Sequence, residues 1–248
     1  MTWIVGIDCA TAEEKIGLAL GSLDGSGLEI HDATACGRKR SAVSLIAGWL
    51  EDRPGSTLLA LDAPLGWPKA LGESLIGHSA GMGIATPAHS MFRRETDMFI
   101  QRKLKKTPLD VGADRIARTA HAALRILSEL RAKLKAPIPL AWTPTLGSGV
   151  SAIEVYPAAT LVAHGIRSKG YKKPTQSGER REILDTLKVH MRIREGVPDL
   201  SKTADLLDAA VCVLAGGDFL RGRAMSPENH HLAEREGWIW SLPLQNGA

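Results

Sequence analysis

Short apolar runs separated by turn residues dominate the start of the chain. Residues 2–8, about 16–23 and about 27–35 each have the length and apolar content of a strand. The segment Asp24-Gly25-Ser26-Gly27 is rich in turn formers and lies between the second and third runs. These features predict three short strands that pair as an antiparallel meander.

A helix and a fully buried strand are predicted next. Ser41 can cap a helix that continues to about Asp52, because apolar residues recur on one of its faces and Pro54-Gly55 follows. The run from Thr57 to Asp62 is almost entirely apolar. Continuous hydrophobicity over so few residues is typical of a strand covered on both faces by helices.

The remaining chain predicts more helices than strands. Residues 64–89 are rich in Gly, Pro and Ala without a sustained period, which predicts a loop. The other predicted elements are helices at Gly112–Lys135, Ala158–His164, Gly178–Glu195 and from Thr203 to Gly216-Gly217, a strand at Ala152–Tyr156, and an edge strand in the tail GWIWSLP. We therefore expect one α/β domain over residues 1–248, with a mixed sheet of about five strands flanked by helices and a helical insertion at about 64–150.

Composition excludes several classes of protein. With 248 residues and 44% hydrophobic content, the chain can bury a large core. It contains no apolar run of about 20 residues, the length that crosses a bilayer, and its first residues lack a basic leader. The three cysteines are widely spaced and do not predict a disulfide framework or a zinc site. A cytoplasmic protein without a membrane partner is expected, and the oligomeric state stays open.

Charge is divided unevenly along the chain. The net charge is +4, but residues 93–135 contain 12 Lys/Arg against 5 Asp/Glu, and residues 167–194 contain 9 against 3. Basic surfaces around an acidic centre suit a polyanionic ligand such as nucleic acid or another phosphodiester. The alternative is that these lysines and arginines only solvate helix faces, and for the helical part of the first segment this is at least as good an explanation.

Five carboxylates lie beside apolar sequence. Asp8 and Asp62 each end a predicted strand, where an aspartate can simply form a turn or a cap. Glu154 lies within a short strand and has no turn role, although an edge position facing water would also accommodate it. Asp205 and Asp208 are three residues apart on a helix and so share a face. Together these oxygen ligands predict a site for one or two Mg²⁺ or Mn²⁺ ions.

Substrate contacts are expected from the two basic segments. Lys172, Lys173 and Arg180 combine positive charge with a predicted loop and with a nearby aromatic residue, Tyr171, which favours a phosphate or nucleic-acid contact. Arg93 and Arg94 are further candidates for a phosphate contact or for a structural ion pair with Asp97, although a solvated helix start explains them slightly better.

The order of these motifs resembles a known family. GIDCA, LALDAPLGWP, FRRETD, AIEVYPAA, SKGYKKPTQSGERR, ADLLDAAVCVLA and EGWIWSLP occur in an order similar to that of the domain of unknown function 429 family, whose members are predicted nucleases with an RNase H-like fold. The resemblance implies Asp8 as the first-strand metal ligand, Asp62 as the fourth-strand acid, and Asp205 and Asp208 as helical acids. Asp62 departs from the glutamate common at that position, and Glu154 is an additional carboxylate.

The function expected on these grounds is hydrolysis of phosphodiester bonds by carboxylate-bound Mg²⁺ or Mn²⁺. Two such ions about 4 Å apart can activate a water molecule and stabilise the leaving oxygen. Two alternatives remain open: an ATP-dependent phosphotransferase related to the actin-like fold, suggested by IVGIDCAT, and a catalytically inactive module that binds nucleic acid. The sequence does not distinguish DNA, RNA and a small nucleotide as substrate.

Overall fold

A central β-sheet organises the molecule. The computed structural model describes residues 1–37, 40–112 and 114–244. Within these residues the sheet has six strands: β1 (Thr2–Asp8), β2 (Gly17–Asp24), β3 (Gly27–Ala35), β4 (Ser56–Asp62), β5 (Gly149–Glu154) and β6 (Arg192–Ile193). Their spatial order is β5-β4-β1-β2-β3-β6.

Strand directions match the predicted fold class. β1, β2 and β3 form the expected antiparallel meander, whereas β4 is parallel to β1 and β5 is parallel to β4. This is the mixed sheet of an RNase H-like fold, so the predicted fold class is confirmed. The sheet differs from the expected five strands by β6, a two-residue strand that pairs with β3 in a segment predicted to be helical.

Helices cover both faces of the sheet. They are α1 (Ala42–Glu51), α2 (Lys69–Leu75), α3 (Ala88–Phe92), α4 (Glu95–Leu104), α5 (Asp114–Leu134), α6 (Pro157–Ala163), α7 (Ser177–Leu187), α8 (Ala204–Leu220) and α9 (His230–Glu236), and a short 3₁₀ turn follows β1. On one face α1 and α5 pack against apolar residues of β1, β2 and β4. On the other face α8 crosses β1 to β4 and is buried along nearly its whole length.

Glycines allow α8 to lie directly on the sheet. A Cβ atom at Gly6 would overlap the carbonyl oxygen of Ala209, and a Cβ at Gly216 would lie 2.8 Å from Ile4. The prediction that Gly216-Gly217 ends the helix is therefore wrong, because α8 continues to Leu220. These glycines allow α8 to pack closely on β1, with Gly6 opposite the first half of the helix and Gly216 within its last part.

Among the described residues, the long connection from β4 to β5 contains four helices. Residues 64–89, expected to form a loop, include α2 and the start of α3. Glu236 helps to explain the difference, because its carboxylate accepts hydrogen bonds from the backbone N–H groups of Lys69 and Glu95, at the first residues of α2 and α4. This cap comes from a residue more than 140 positions away, so local sequence does not reveal it.

The C-terminal tail covers the far edge of the sheet. Ile239 forms an isolated parallel bridge with Glu154, and the Trp240 N–H donates to the Glu154 carbonyl. Trp238 and Trp240 are buried against Phe99 and Phe219 respectively. The predicted edge strand is thus reduced to one bridge, and the tryptophans mainly close the core. Within the described part of the chain, no helix is both long enough and apolar enough to cross a lipid bilayer.

Candidate carboxylate site

Three aspartates converge where β1 and β4 end. Asp8 and Asp62 are register partners on these adjacent parallel strands, so their side chains leave the same edge of the sheet. Asp208 approaches from the first half of α8, which lies against both strands. One carboxylate oxygen from each aspartate lies within 4.8 Å of one from each of the others. Sheet register and helix packing therefore assemble a group that the sequence scatters over 200 residues.

Burial and mutual repulsion make this group electrostatically unfavourable. Burial raises the pKa of Asp8 well above its usual range, and Asp208 and Asp62 raise it further. Burial also raises the pKa of Asp62 to about 7, although Lys172 opposes this change. Close carboxylates in a desolvated site favour protons or cations. Because all the donors are carboxylate oxygens, the set fits a hard divalent cation such as Mg²⁺ or Mn²⁺.

Two residues of the loop before α7 hold Asp208. The Tyr171 hydroxyl donates a 2.7 Å hydrogen bond to Oδ1, and Lys172 Nζ lies 2.7 Å from Oδ2. Burial opposes the charge of Lys172, but Asp208, Asp62 and Asp8 together raise its pKa above the usual range. The Lys172 side chain is 61% exposed and lines the cleft above the carboxylates. The basic loop expected from the sequence thus contacts the acidic group directly.

Asp205 lies near this group without belonging to it. It precedes Asp208 by about one helical turn and is half-buried. Burial raises its pKa, and the charge of Asp208 raises it further. Asp205 in turn contributes to the raised pKa of Asp8. It therefore adds negative charge beside the three aspartates.

Glu154 has a different role from that of the predicted metal ligand. Arg94 donates to both of its carboxylate oxygens, over 2.7 Å to Oε1 and 2.8 Å to Oε2. The Leu65 N–H also donates to Oε2, over 2.9 Å. Burial raises the pKa of Glu154, while Arg94 and Leu65 oppose that change. Because Glu154 lies outside the group of three aspartates and pairs with a buried arginine, we assign it to the internal ion pair rather than to a cation.

Arg94, predicted as a substrate contact, is instead a buried cation with a structural role. Only 1% of its surface is exposed. Its guanidinium group bonds to Asp97, to Glu154 and to the carbonyl of Glu236. These contacts connect α4, β5 and the end of α9. Since the side chain neither reaches solvent nor needs another acceptor, it does not suit a phosphate of a substrate.

Arg180, also predicted as a substrate contact, instead stabilises the basic loop before α7. It is 2% exposed and donates to the carbonyls of Ser201, Tyr171 and Lys173. These bonds fix the loop that presents Tyr171 and Lys172 to Asp208. The sequence correctly indicated the basic loop, but one of its arginines supports the contact from behind instead of making it.

The other two predicted contacts lie on the surface. Arg93 is partly exposed and pairs with Asp110, over 2.8 Å. Lys173 is exposed, and its backbone N–H donates to Gln176. Neither side chain lines the cleft above the carboxylates.

A cleft of about 560 Å³ opens over Asp8 and Asp62. Its lining includes three residues that the sequence did not indicate as part of a site, namely Lys106, Leu109 and Tyr156. Lys106 and Leu109 come from the connection between α4 and α5, and Tyr156 lies two residues after the end of β5. They are brought to the site by the long insertion and by sheet order, so only the tertiary structure places them there.

Comparison with known proteins agrees with the predicted family. Residues 6–232 match a family described as "Protein of unknown function (DUF429)". The chain belongs to this family. No curated protein matches the chain significantly. Among solved structures, the DUF429 chain is similar to T. thermophilus RuvC in complex with a Holliday junction substrate, with 12% identity and a TM-score of 0.29, over 85% of this chain and 91% of that one.

Proposed function

We propose that this protein is a divalent-metal-dependent phosphodiesterase that acts on nucleic acid. The observation that carries this proposal is the convergence of Asp8, Asp62 and Asp208 within 4.8 Å of one another at the ends of two parallel strands. Asp208 is buried and Asp8 and Asp62 are half-buried, and carboxylates at this separation repel one another unless a cation or protons neutralise them. The RNase H-like sheet accounts for how the chain builds the group.

Asp8, Asp62 and Asp208 would hold the cation, with Asp205 as an outer carboxylate that attracts it. When bound, Mg²⁺ or Mn²⁺ would supply an electrophile that activates water and stabilises negative charge on phosphate oxygens. Hard oxygen donors favour these ions over soft transition metals. We therefore propose Mg²⁺ or Mn²⁺ as the bound ion, with one or two ions per site.

Tyr171 and Lys172 have separate roles in this proposal. The Tyr171 hydroxyl orients Asp208 through Oδ1. Lys172 compensates the charge on Oδ2 and lines the cleft, where its positive charge suits an anionic phosphate. Lys106 and Lys169 add positive charge to the walls of the same cleft. This arrangement of acids below and lysines above suits a phosphodiester held over a cation site.

Manganese binding and nucleic-acid cleavage test the proposal together. Purified full-length protein should bind Mn²⁺ in calorimetry and should cleave at least one of a panel of single-stranded, duplex and branched DNA and RNA substrates. Asp8→Asn and Asp208→Asn should each lose both properties. Asp185→Asn is the matched control, because Asp185 is an exposed aspartate that pairs only with Lys188 in the described structure.

Each failure has a distinct meaning. Wild-type-like Mn²⁺ affinity in both Asp8→Asn and Asp208→Asn would eliminate the proposed site. ATP-dependent stabilisation without cleavage would favour the phosphotransferase hypothesis. Metal-independent, salt-sensitive nucleic-acid binding without cleavage would favour the inactive binding module.

A further inference from the structure

The cleft above the carboxylates has the size of a small-ligand site. Its volume of about 560 Å³ lies within the roughly 300–1,000 Å³ common for pockets that enclose small molecules. Its walls come from the turn after β4, the connection between α4 and α5, the start of α6 and the loop before α7. Binding of a duplex requires a broad open surface. A cleft with walls on several sides instead suits a ligand the size of one nucleotide.

One wall of the cleft is apolar. Leu109 is 68% exposed although it is a large hydrophobic residue, and it lines the cleft beside Pro108 and Ile116. The Tyr156 ring also lines the cleft and is half-buried. Aromatic and aliphatic surfaces of this kind stack on the faces of nucleobases. In an intact duplex those faces are occupied by neighbouring bases, so this wall suits an unpaired base.

Three lysines add positive charge to the same cleft. Lys106, Lys169 and Lys172 all line the cleft. Burial lowers the pKa of Lys106, and the nearby charges of Lys169 and Lys172 lower it further. Ammonium groups gathered in this way favour an anion between them. Apolar, cationic and acidic surfaces therefore meet in one cleft. The apolar surface suits the base of a nucleotide, the lysines suit its phosphate, and the carboxylates suit the cation that would bind the reacting group.

We propose that this cleft binds one unpaired nucleotide, with its base against Leu109 and Tyr156 and its phosphate near Lys106 and Lys169. The protein then prefers a single strand, or a nucleotide extruded from a duplex, over an intact duplex. This inference rests on the proposed nuclease function for its scissile phosphate. Leu109 and Tyr156 are not among the three aspartates, so base binding can be tested without cleavage.

Binding in EDTA tests the cleft without the metal. The probe is a fluorescently labelled single-stranded octanucleotide, with the same sequence as a duplex for comparison, and the measurement is fluorescence anisotropy at fixed ionic strength. Wild-type protein should bind the single strand about tenfold or more tightly than the duplex. Leu109→Ala and Tyr156→Ala should each weaken single-strand binding by about tenfold, within the range for loss of a stacking contact.

Three comparisons separate the loss of a stacking contact from a failure to fold. Tyr156→Phe keeps the ring and should bind the single strand more tightly than Tyr156→Ala. Leu109→Ala removes an exposed side chain, so its effect does not depend on whether Tyr156→Ala folds. Val189→Ala removes an apolar side chain that is 80% exposed outside the cleft, and it should leave binding unchanged. Equal affinity for single strand and duplex, or wild-type binding by Leu109→Ala, would overturn the inference.

Hydrolysis of bis(p-nitrophenyl) phosphate with Mn²⁺ distinguishes this inference from the proposed function. This small phosphodiester lacks a nucleobase and reports the metal chemistry alone. Hydrolysis without a single-strand preference would overturn the cleft assignment and leave the phosphodiesterase intact. A single-strand preference that is lost in Leu109→Ala, without hydrolysis of any phosphodiester, would support the cleft assignment and refute the phosphodiesterase.

Discussion

Arg94 and Glu154 form a two-point ion pair inside the protein, with Nη2 2.7 Å from Oε1 and Nη1 2.8 Å from Oε2. Glu154 also accepts the Leu65 N–H, three residues after Asp62. The pair therefore ties the chain that leaves β4 to β5 and α4. This contact supports the backbone beside the carboxylate site although neither residue belongs to the three-aspartate group.

The two sides of this ion pair should differ in their contribution to stability. Arg94→Met leaves Glu154 and Asp97 as buried carboxylates without their common cation, so we expect a loss of about 3–5 kcal/mol in the free energy of unfolding. Glu154→Gln leaves Arg94 paired with Asp97 and keeps a hydrogen-bonding group, so we expect a loss of about 1 kcal/mol. Urea denaturation measures both.

An exposed ion pair supplies the control for this prediction. Lys188 and Asp185 lie 2.7 Å apart on the surface. Lys188→Met should therefore change the unfolding free energy by less than about 1 kcal/mol. Equal losses for Arg94→Met and Glu154→Gln would contradict the assignment of Arg94 as the shared cation.

The chain's two tyrosines offer a matched pair at the carboxylate site. Tyr171→Phe removes the hydroxyl that donates to Asp208, so we expect the Mn²⁺ affinity to fall by about tenfold, as for other groups that orient metal ligands. Tyr156→Phe should lower Mn²⁺ affinity less than Tyr171→Phe does, because the hydroxyl that bonds to Asp208 belongs to Tyr171. Titration calorimetry compares the two, and equal affinities would show that Tyr171 does not position Asp208.

Close packing of α8 on β1 predicts a strong effect at one glycine. A methyl group at Gly6 would overlap the backbone of α8 at Ala209, so Gly6→Ala should lower the free energy of unfolding by about 3 kcal/mol. It should also weaken Mn²⁺ binding, because Asp8 and Asp208 lie on the elements forced apart.

Gly48 provides the contrasting glycine. It lies within α1, where an added Cβ would meet no neighbouring atom within 4 Å, so Gly48→Ala should raise stability by about 0.5–1 kcal/mol. Thermal and urea unfolding compare the two variants. Similar effects at both positions would mean that α8 does not pack as closely on β1 as the structure indicates.

His31 predicts a pH dependence of stability. Burial lowers its pKa from the usual value of 6.5, Arg194 and Arg53 lower it further, and Glu29 opposes them. The unfolded chain therefore binds this proton more readily than the folded protein, and the free energy of unfolding falls as pH drops below about 6.5. Between pH 7.5 and 5, wild-type protein should lose more stability than His31→Gln. A difference that is constant or reversed over this range would refute the prediction.

Local patterns predicted most of the sheet and only some of the site. The meander, β4 and α8 could be predicted because their apolar runs are long enough to indicate their burial. The sequence shows that Glu154 has no turn role. The partner that explains its burial is Arg94, which lies 60 residues earlier in the chain. The pattern of apolar residues reports that a charge is buried, and it does not report which opposite charge meets it.

The sequence by itself determined that aspartates end two apolar strands and that two more share one face of a helix. Only the tertiary structure decided that Asp8, Asp62 and Asp208 meet, because their distances depend on parallel register between β1 and β4 and on how closely α8 lies on them. It also decided that Arg94 neutralises Glu154 and that Lys172 reaches Asp208. Charges far apart in sequence are paired by packing, which local spacing cannot encode.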